Sequence, residues 1–283
     1  MSMTDKHRGI WSSVTLHVVL SVMAFMVILP FVWMVLASFK TGDTVYSESW
    51  LPQGPWQFQN YGDVFNIQNG RGIDFDRYMT NSIFVAAWVT FLQVLTSAMA
   101  AFGFSRIEWP GRDKVFLLYL STMMLPGLVM MIPNYKLMIT LGLVDSLPGL
   151  IIPAAFSTFG TFLLRQFMLA IPKSLDEAAE IDGASKWQLF WDVILPLARP
   201  GLITLTIFTF IGNYQSFFWP LVMLSTRDRY TLPIGLLMFD GQASFSGHLL
   251  MAAATMSVLP MIVLFVVLQK YLVKGIQLGA VKG

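Results

Sequence analysis

The sequence predicts an all-α polytopic membrane protein with six transmembrane helices, and three observations carry that reading. Of 283 residues, 55% are apolar and 12% charged, with a mean hydropathy of +0.64, a balance unsuited to a surface in water. Six stretches near the length needed to cross hydrocarbon, roughly 20 residues, contain no Asp, Glu, Lys or Arg. The lysines and arginines divide unevenly between alternate connecting segments.

The first stretch, 14–38, follows a basic lead that includes Lys6 and Arg8 and so begins like a secretory leader. It is too long for one and no small-residue cleavage site follows, which makes it a retained span. The others are 82–104, 115–133, 147–164, 201–224 and 249–269. Pro30, Pro126, Pro153, Pro220 and Pro260 interrupt five of the six, which predicts kinks whose freed carbonyls are satisfied by neighbouring helices or water. Segments on one side hold Lys6, Arg8, Arg106, Arg112, Lys114, Arg165, Lys173, Lys186, Arg199, Lys270, Lys274 and Lys282. Those on the other hold only Lys40, Arg71, Arg77, Lys136, Arg227 and Arg229. Both termini and the loop 165–199 are therefore expected in the cytoplasm. The long outer loop 40–80 carries Trp50, Trp56 and Tyr61, suited to a lipid-headgroup anchor or to a platform for an extracytoplasmic partner.

Several function classes drop out. There is no cysteine, and His7, His17 and His248 lie far apart, so neither redox chemistry nor a metal site is expected. A net charge of +2 without a basic stripe argues against nucleic acid. No phosphate-cradling Gly-x-x-x-x-Gly-Lys-Ser/Thr run and no nucleophile with a base is present, so no catalytic residue is assigned. A proton- or ion-coupled secondary carrier normally needs an ionisable group within a span, and these six have none.

The loop 171–200 is too patterned for a connector. Ser174 with Glu177, and Ser185 with Gln188, each read as a capping box, while Gly183 suits a left-handed helix end. Two short helices joined by a tight turn follow. In the second, Trp187, Phe190, Trp191 and Ile194 form an apolar stripe ended by Pro196, expected to pack on the membrane domain. In the first, Ala178 and Ala179 permit close approach, and Asp176, Glu177, Glu180 and Asp182 give an acidic edge. Its small centre suits docking into another protein's groove, and a surface helix covering the bundle is the alternative.

The run Glu177-Ala178-Ala179-Glu180-Ile181-Asp182-Gly183-Ala184, followed by Ile194-Leu195-Pro196 and Pro200, resembles the EAA signature of ABC importer permeases. The likeness extends to six spans, to Thr161-Phe162-Leu163-Leu164-Arg165 ahead of the loop, and to Val273-Lys274-Gly275 near the C-terminus. It is strongest to the sugar-importer branch and its shorter, maltose-G-like permease. The resemblance implies a single transmembrane domain over 1–283 that forms half of a translocation path for a sugar or sugar-like solute. It implies that Glu177, Ala178, Ala179, Asp182, Gly183 and Ala184 belong to a coupling helix seated in a cytoplasmic ATPase. The implied partners are a second permease, two ATPase copies that carry ATP and Mg, and an extracytoplasmic solute-binding protein, with the chain itself free of cofactors and resident in the inner membrane. A phosphorylated polyol as solute, or a secondary carrier, is the alternative.

Asn213, Tyr214, Gln215 and Ser216 cluster in the fifth span before Pro220. They can hydrogen-bond hydroxyl groups without imposing charge, and read either as solute-path residues or as interhelical hydrogen-bonding groups. Where many sugar permeases have Trp-Asn followed by an acid or Gln, this chain has Tyr214-Gln215-Ser216 ahead of Trp219-Pro220-Leu221.

Overall fold

A computed structural model describes residues 3–66, 74–240 and 247–280, and every regular element among them is helical. Two compact units arise from the chain, one from Met1–Ile73 with Leu236–Val258 and one from Asp74–Gly235 with Leu259–Gly283.

In the first unit, α1 (Met3–Ala37) runs unbroken through Pro30, and most of its apolar part from Val14 on is exposed, while Ala37 at its end is buried. The chain then folds back on the helix end. Asn60, at the start of α2 (Asn60–Asn66), donates from Nδ2 to the carbonyls of Ser38 at 2.8 Å and Lys40 at 2.9 Å, serving acceptors that a helix terminus leaves free. The Phe39 ring lies 5.0–5.4 Å from those of Trp56, Phe58 and Tyr61. The first half of the loop 40–80 is thus built on an aromatic cluster, while Trp50 and Trp56 keep exposed faces.

The second unit is organised by α3 (Phe75–Ser105), 31 residues long and so about 46 Å at 1.5 Å per residue. Its buried stripe includes Ser82, Ala86, Ser97, Ala98, Ala101 and Ser105, small side chains that let neighbouring backbones approach, as packing between helices in lipid requires. Span 115–133 departs from expectation. Helix α4 (Arg112–Ser121) passes through a 3-10 turn, Thr122–Met124, and α5 (Gly127–Thr140) leaves at 97°. Pro126 disfavours helical backbone in Leu125, whose ψ is 121°, so the proline turns the chain rather than kinking it.

Span 147–164 is not one helix either. It divides into α6 (Leu147–Ile151) and α7 (Thr158–Leu169) around the non-helical stretch 152–157. The carbonyls freed there are taken by side chains of α3: Gln93 Nε2 donates to Ala154 at 2.6 Å and Thr96 Oγ1 to Ala155 at 2.8 Å. Gly160 lets α7 meet α3 and its other neighbour closely, since a Cβ there would stand 2.5 Å from Ser97 Oγ and 3.1 Å from Leu205.

Span 201–224 becomes α10 (Arg199–Tyr214) and α11 (Phe218–Met223). The break lies ahead of Pro220, because a proline ring clashes with the carbonyl four residues earlier, here Ser216. The final helix, α13 (Gly247–Ala280), follows α12 (Leu232–Asp240) and continues well past residue 269. Among the described residues, three helices are long and apolar enough to cross a membrane alone: Val14–Ala37, Phe75–Ser105 and Gly247–Lys270. Two bent pairs raise the number to five, and the expected span 147–164 is not among these.

At one edge of this unit Asp145 staples two loops. It has a φ of 54°, unusual for a residue with a Cβ, and accepts from the Ser225 and Thr226 amides at 2.9 and 3.0 Å, the Thr226 hydroxyl at 2.6 Å and Arg229 Nη1 at 3.0 Å. The Thr226 hydroxyl and amide, then the Ser225 amide, hold its carboxyl down at about 2. Since the folded-state value lies below the ordinary 3.8, the stabilisation is complete above that value and is lost as pH falls toward 2. Across neutral pH it is constant. Asp145→Ala is expected to cost about 1–3 kcal/mol, read as a lower unfolding midpoint in detergent and faster hydrogen exchange at the Ser225 and Thr226 amides.

Candidate functional site

The loop that follows α7 forms two arms. The first, α8 (Ser174–Ile181), does not use the capping box expected at Ser174: Lys173 occupies the cap position and makes no side-chain cap bond. Instead the Lys173 carbonyl accepts from the amides of Asp176 and Glu177 at 2.9 and 3.1 Å, which draws Ser174 inside the helix. The other end is as expected. Gly183 has a φ of 81°, its amide donates to Glu180 at 3.0 Å, and the Ala184 amide reaches back to Ala179 at 2.9 Å. These two bonds are a Schellman closure. The second capping box is complete, with Ser185 Oγ accepting from the Gln188 amide and Gln188 Oε1 accepting from the Ser185 amide at 2.8 Å.

The second arm, α9 (Lys186–Leu197), differs from the expected stripe. Its middle, Leu189–Ile194, is a π-helix, so Leu189, Phe190 and Ile194 are the residues buried against Ala98, Phe102, Leu164, Met168 and Leu205. Trp187 and Trp191 remain 58% and 41% exposed. The wider π turn moves the inward face by one position, which a 3.6-residue period cannot anticipate. Pro196 does not end the helix, which runs on to Leu197 before α10 departs at 75°.

This frame presents α8 outward. Glu177, Ala178, Asp182 and Gly183 are exposed, whereas Ala179 and Ala184 are half-buried against the chain itself. Leu175 and Ile181 add apolar surface to the exposed side, Ile181 at 86%. Neither was singled out from the sequence; their position beside Ala178 was the available signal. The inward side is anchored by Asp176, whose Oδ2 meets Arg106 Nη1 at 3.1 Å.

The four polar residues of the fifth span do not act as a group. Asn213 lines a cavity of about 360 Å3 with Gln93, Ser157, Thr209 and Phe208, and its Nδ2 donates to the Thr209 carbonyl at 2.8 Å. Tyr214 is buried, stacked on Phe210 with centroids 5.8 Å apart. Gln215 is exposed and donates to the sulfur of Met261. Ser216 lines a second cavity of about 430 Å3 with Asn134, Pro153, Phe217 and Trp219. Gln93, Thr209 and Asn134 were missed, although a carboxamide in an apolar span is itself a signal.

Residues 93–278 match the family model described as binding-protein-dependent transport system inner membrane component. The chain is 33% identical over 283 residues to the probable ABC transporter permease protein YurM of Bacillus subtilis, covering 99% of this chain and 92% of that one. It is 34% identical over 203 residues to the arabinooligosaccharides transport system permease protein AraQ of Halalkalibacterium halodurans, covering 72% and 73%. A crystal structure of a bacterial ABC transporter involved in import of the acidic polysaccharide alginate contains a chain that superposes with a TM-score of 0.81 at 26% identity, covering 96% of this chain and 98% of that one.

A Cβ at Gly183 would meet nothing within 4 Å, so a substitution there is penalised by backbone conformation alone. Gly183→Asp is expected to destabilise the turn by about 1–2 kcal/mol while leaving insertion unchanged, and Gly183→Asn, better tolerated at positive φ, by less. Hydrogen exchange at the Gly183 and Ala184 amides reports the opening.

Proposed function

This chain belongs to the family of binding-protein-dependent transport system inner membrane components, and on that premise we propose that it is the permease half of an ATP-driven sugar importer whose coupling element is the helix Ser174–Ile181. It is a transport subunit and not an enzyme. The carrying observation is the geometry of that helix: anchored on its inner side, closed at Gly183, and presenting Glu177, Ala178 and the apolar Leu175 and Ile181 outward. An exposed isoleucine on a short capped helix is suited to a groove on another protein.

In this reading the chain acts as one transmembrane domain and pairs with a second permease. Two cytoplasmic ATPase copies bind ATP and Mg, and a solute-binding protein delivers solute at the other face. Closure of the ATPases displaces the coupling helix, and the broken helices shift the path from one side to the other. Both termini and the loop 171–200 face the cytoplasm. Asn213 and Ser216 line this chain's part of the path. An oligosaccharide is favoured over a phosphorylated polyol because both cavities are walled by amides, hydroxyls and aromatic rings and by no Lys or Arg, whereas phosphate recognition draws on such cations. The transport of arabinooligosaccharides by the system that contains AraQ agrees with that solute class.

Ile181→Asp is expected to reduce retention of the ATPase on the purified complex about ten-fold or more, with the permease itself inserted normally. Retention at the parent level would sink the docking assignment. A cysteine at Ser185, in a chain with none of its own, is expected to react with an impermeant maleimide only from the cytoplasmic side.

A further inference from the structure

Arg106 follows the last residue of α3, and its side chain is 2% exposed. Its guanidinium meets three elements at once. Nη1 donates to Asp176 Oδ2 in the first turn of α8, and Nη2 donates to the carbonyls of Met168 and Ile171 at and just beyond the end of α7, the latter at 2.9 Å. The cation therefore lies where a helix C-terminus favours positive charge, while the planar fork reaches acceptors that a single ammonium cannot serve together.

The other ion pair tying this loop to the preceding hairpin is weaker. Lys173 and Glu108 meet at 3.3 Å but are 69% and 79% exposed, and a solvated pair of that kind contributes little. Asp176, by contrast, is 15% exposed. The buried pair is also incomplete, since Arg106 Nε and Asp176 Oδ1 are both buried without a hydrogen-bond partner. Nη1, which meets Asp176, and the unpaired Nε lie on different edges of the guanidinium, and Nη2 is taken by the two carbonyls, so the pair rests on a single charge-assisted bond rather than a bidentate fork.

We propose that Arg106 is the positioning residue through which displacement of the helix Ser174–Ile181, acting at Asp176, reaches the span Phe75–Ser105. Both side chains are largely buried, so separating them would strand a charge, and a displacement of Asp176 carries Arg106 with it. Movement delivered at Arg106 travels along α3 to Gln93, 13 residues and about 20 Å away, where that side chain holds the broken segment at Ala154 and walls the cavity beside Asn213. The inference rests on the reading of α8 as the ATPase-docking helix.

The test uses the assembled complex, copurified with its ATPase and reconstituted, with Ser216→Cys as a thiol reporter in a chain otherwise free of cysteine. The probe is MgATP with vanadate, and the readout is the ratio of maleimide labelling rates with and without trapping. Asp176→Asn, which keeps shape and one acceptor, is expected to retain the ATPase yet reduce the trapping-induced change in labelling about five-fold or more. Arg106→Lys moves in the same direction, and combining Arg106→Asp with Asp176→Arg restores part of the change. A full labelling response in Asp176→Asn overturns the proposal, as does a loss of assembled complex in which the surviving complexes respond like the parent, since that is a packing role. If Ile181→Asp loses the ATPase while Asp176→Asn responds fully, only the joint is refuted. If the parent shows no response to trapping, the docking reading fails and the joint fails with it.

Discussion

Gln93 and Thr96 reach from the helix Phe75–Ser105 to the carbonyls of Ala154 and Ala155, and the arrangement of the larger unit depends on such contacts. Backbone polar groups freed inside a bilayer have no water to turn to, and each left unpaired costs several kcal/mol, roughly. A chain that breaks a span at Pro153 must therefore draw hydrogen-bond donors for the freed carbonyls from a neighbour. The long helix does so with two side chains one turn apart. Gln93 also accepts from Thr209 at 3.2 Å, so a single carboxamide links three helical segments. The small residues along the same helix make these short distances possible.

That solution allows helices to break where a cavity is needed. The turn at Pro126, the gap at 152–157 and the gap ahead of Phe218 each contribute to the wall that contains Ser216 and Trp219. Irregular backbone at membrane depth is tolerated where protein covers it or where it lines a cavity, and here both conditions are met by one group of helices. The result is a cavity wall of an amide, a hydroxyl, rings and apolar side chains, with no charged residue among those lining it.

The loop 171–200 obeys a different economy, because water can satisfy its ends. Its rigidity comes from local closures at Gly183 and Ser185 and from burial of Leu189, Phe190 and Ile194 beneath it. The exposed arm is short and carries both acidic and apolar side chains outward, while Asp176 and Ala179 hold it to the rest of the unit. A helix held at one buried point and two turns can move as a body when a partner pulls on its outer face.

The apolar composition, the charge-free stretches, the left-handed glycine and the Ser185/Gln188 cap were legible in the sequence because each follows from residue chemistry acting within a few positions. The EAA run carried the family for the same reason. What the tertiary structure decided was where long-range contacts override those rules. Prolines marked the unstable points, but tertiary context decided the outcome: the helix runs unbroken through Pro30, whereas around Pro153, where neighbours take the freed carbonyls, the expected helix over 147–164 separates into two. Ser174 lost its expected capping role because the helix starts one residue earlier, with the Lys173 carbonyl taking the Asp176 and Glu177 amides, while Asp176 engages Arg106, 70 positions away. The π turn shifted burial from Trp187 and Trp191 to Leu189. The four adjacent residues Asn213, Tyr214, Gln215 and Ser216 were dispersed to a cavity, a ring stack, the surface and a second cavity, because the break after Tyr214 ends the helical period that would have kept them on predictable faces.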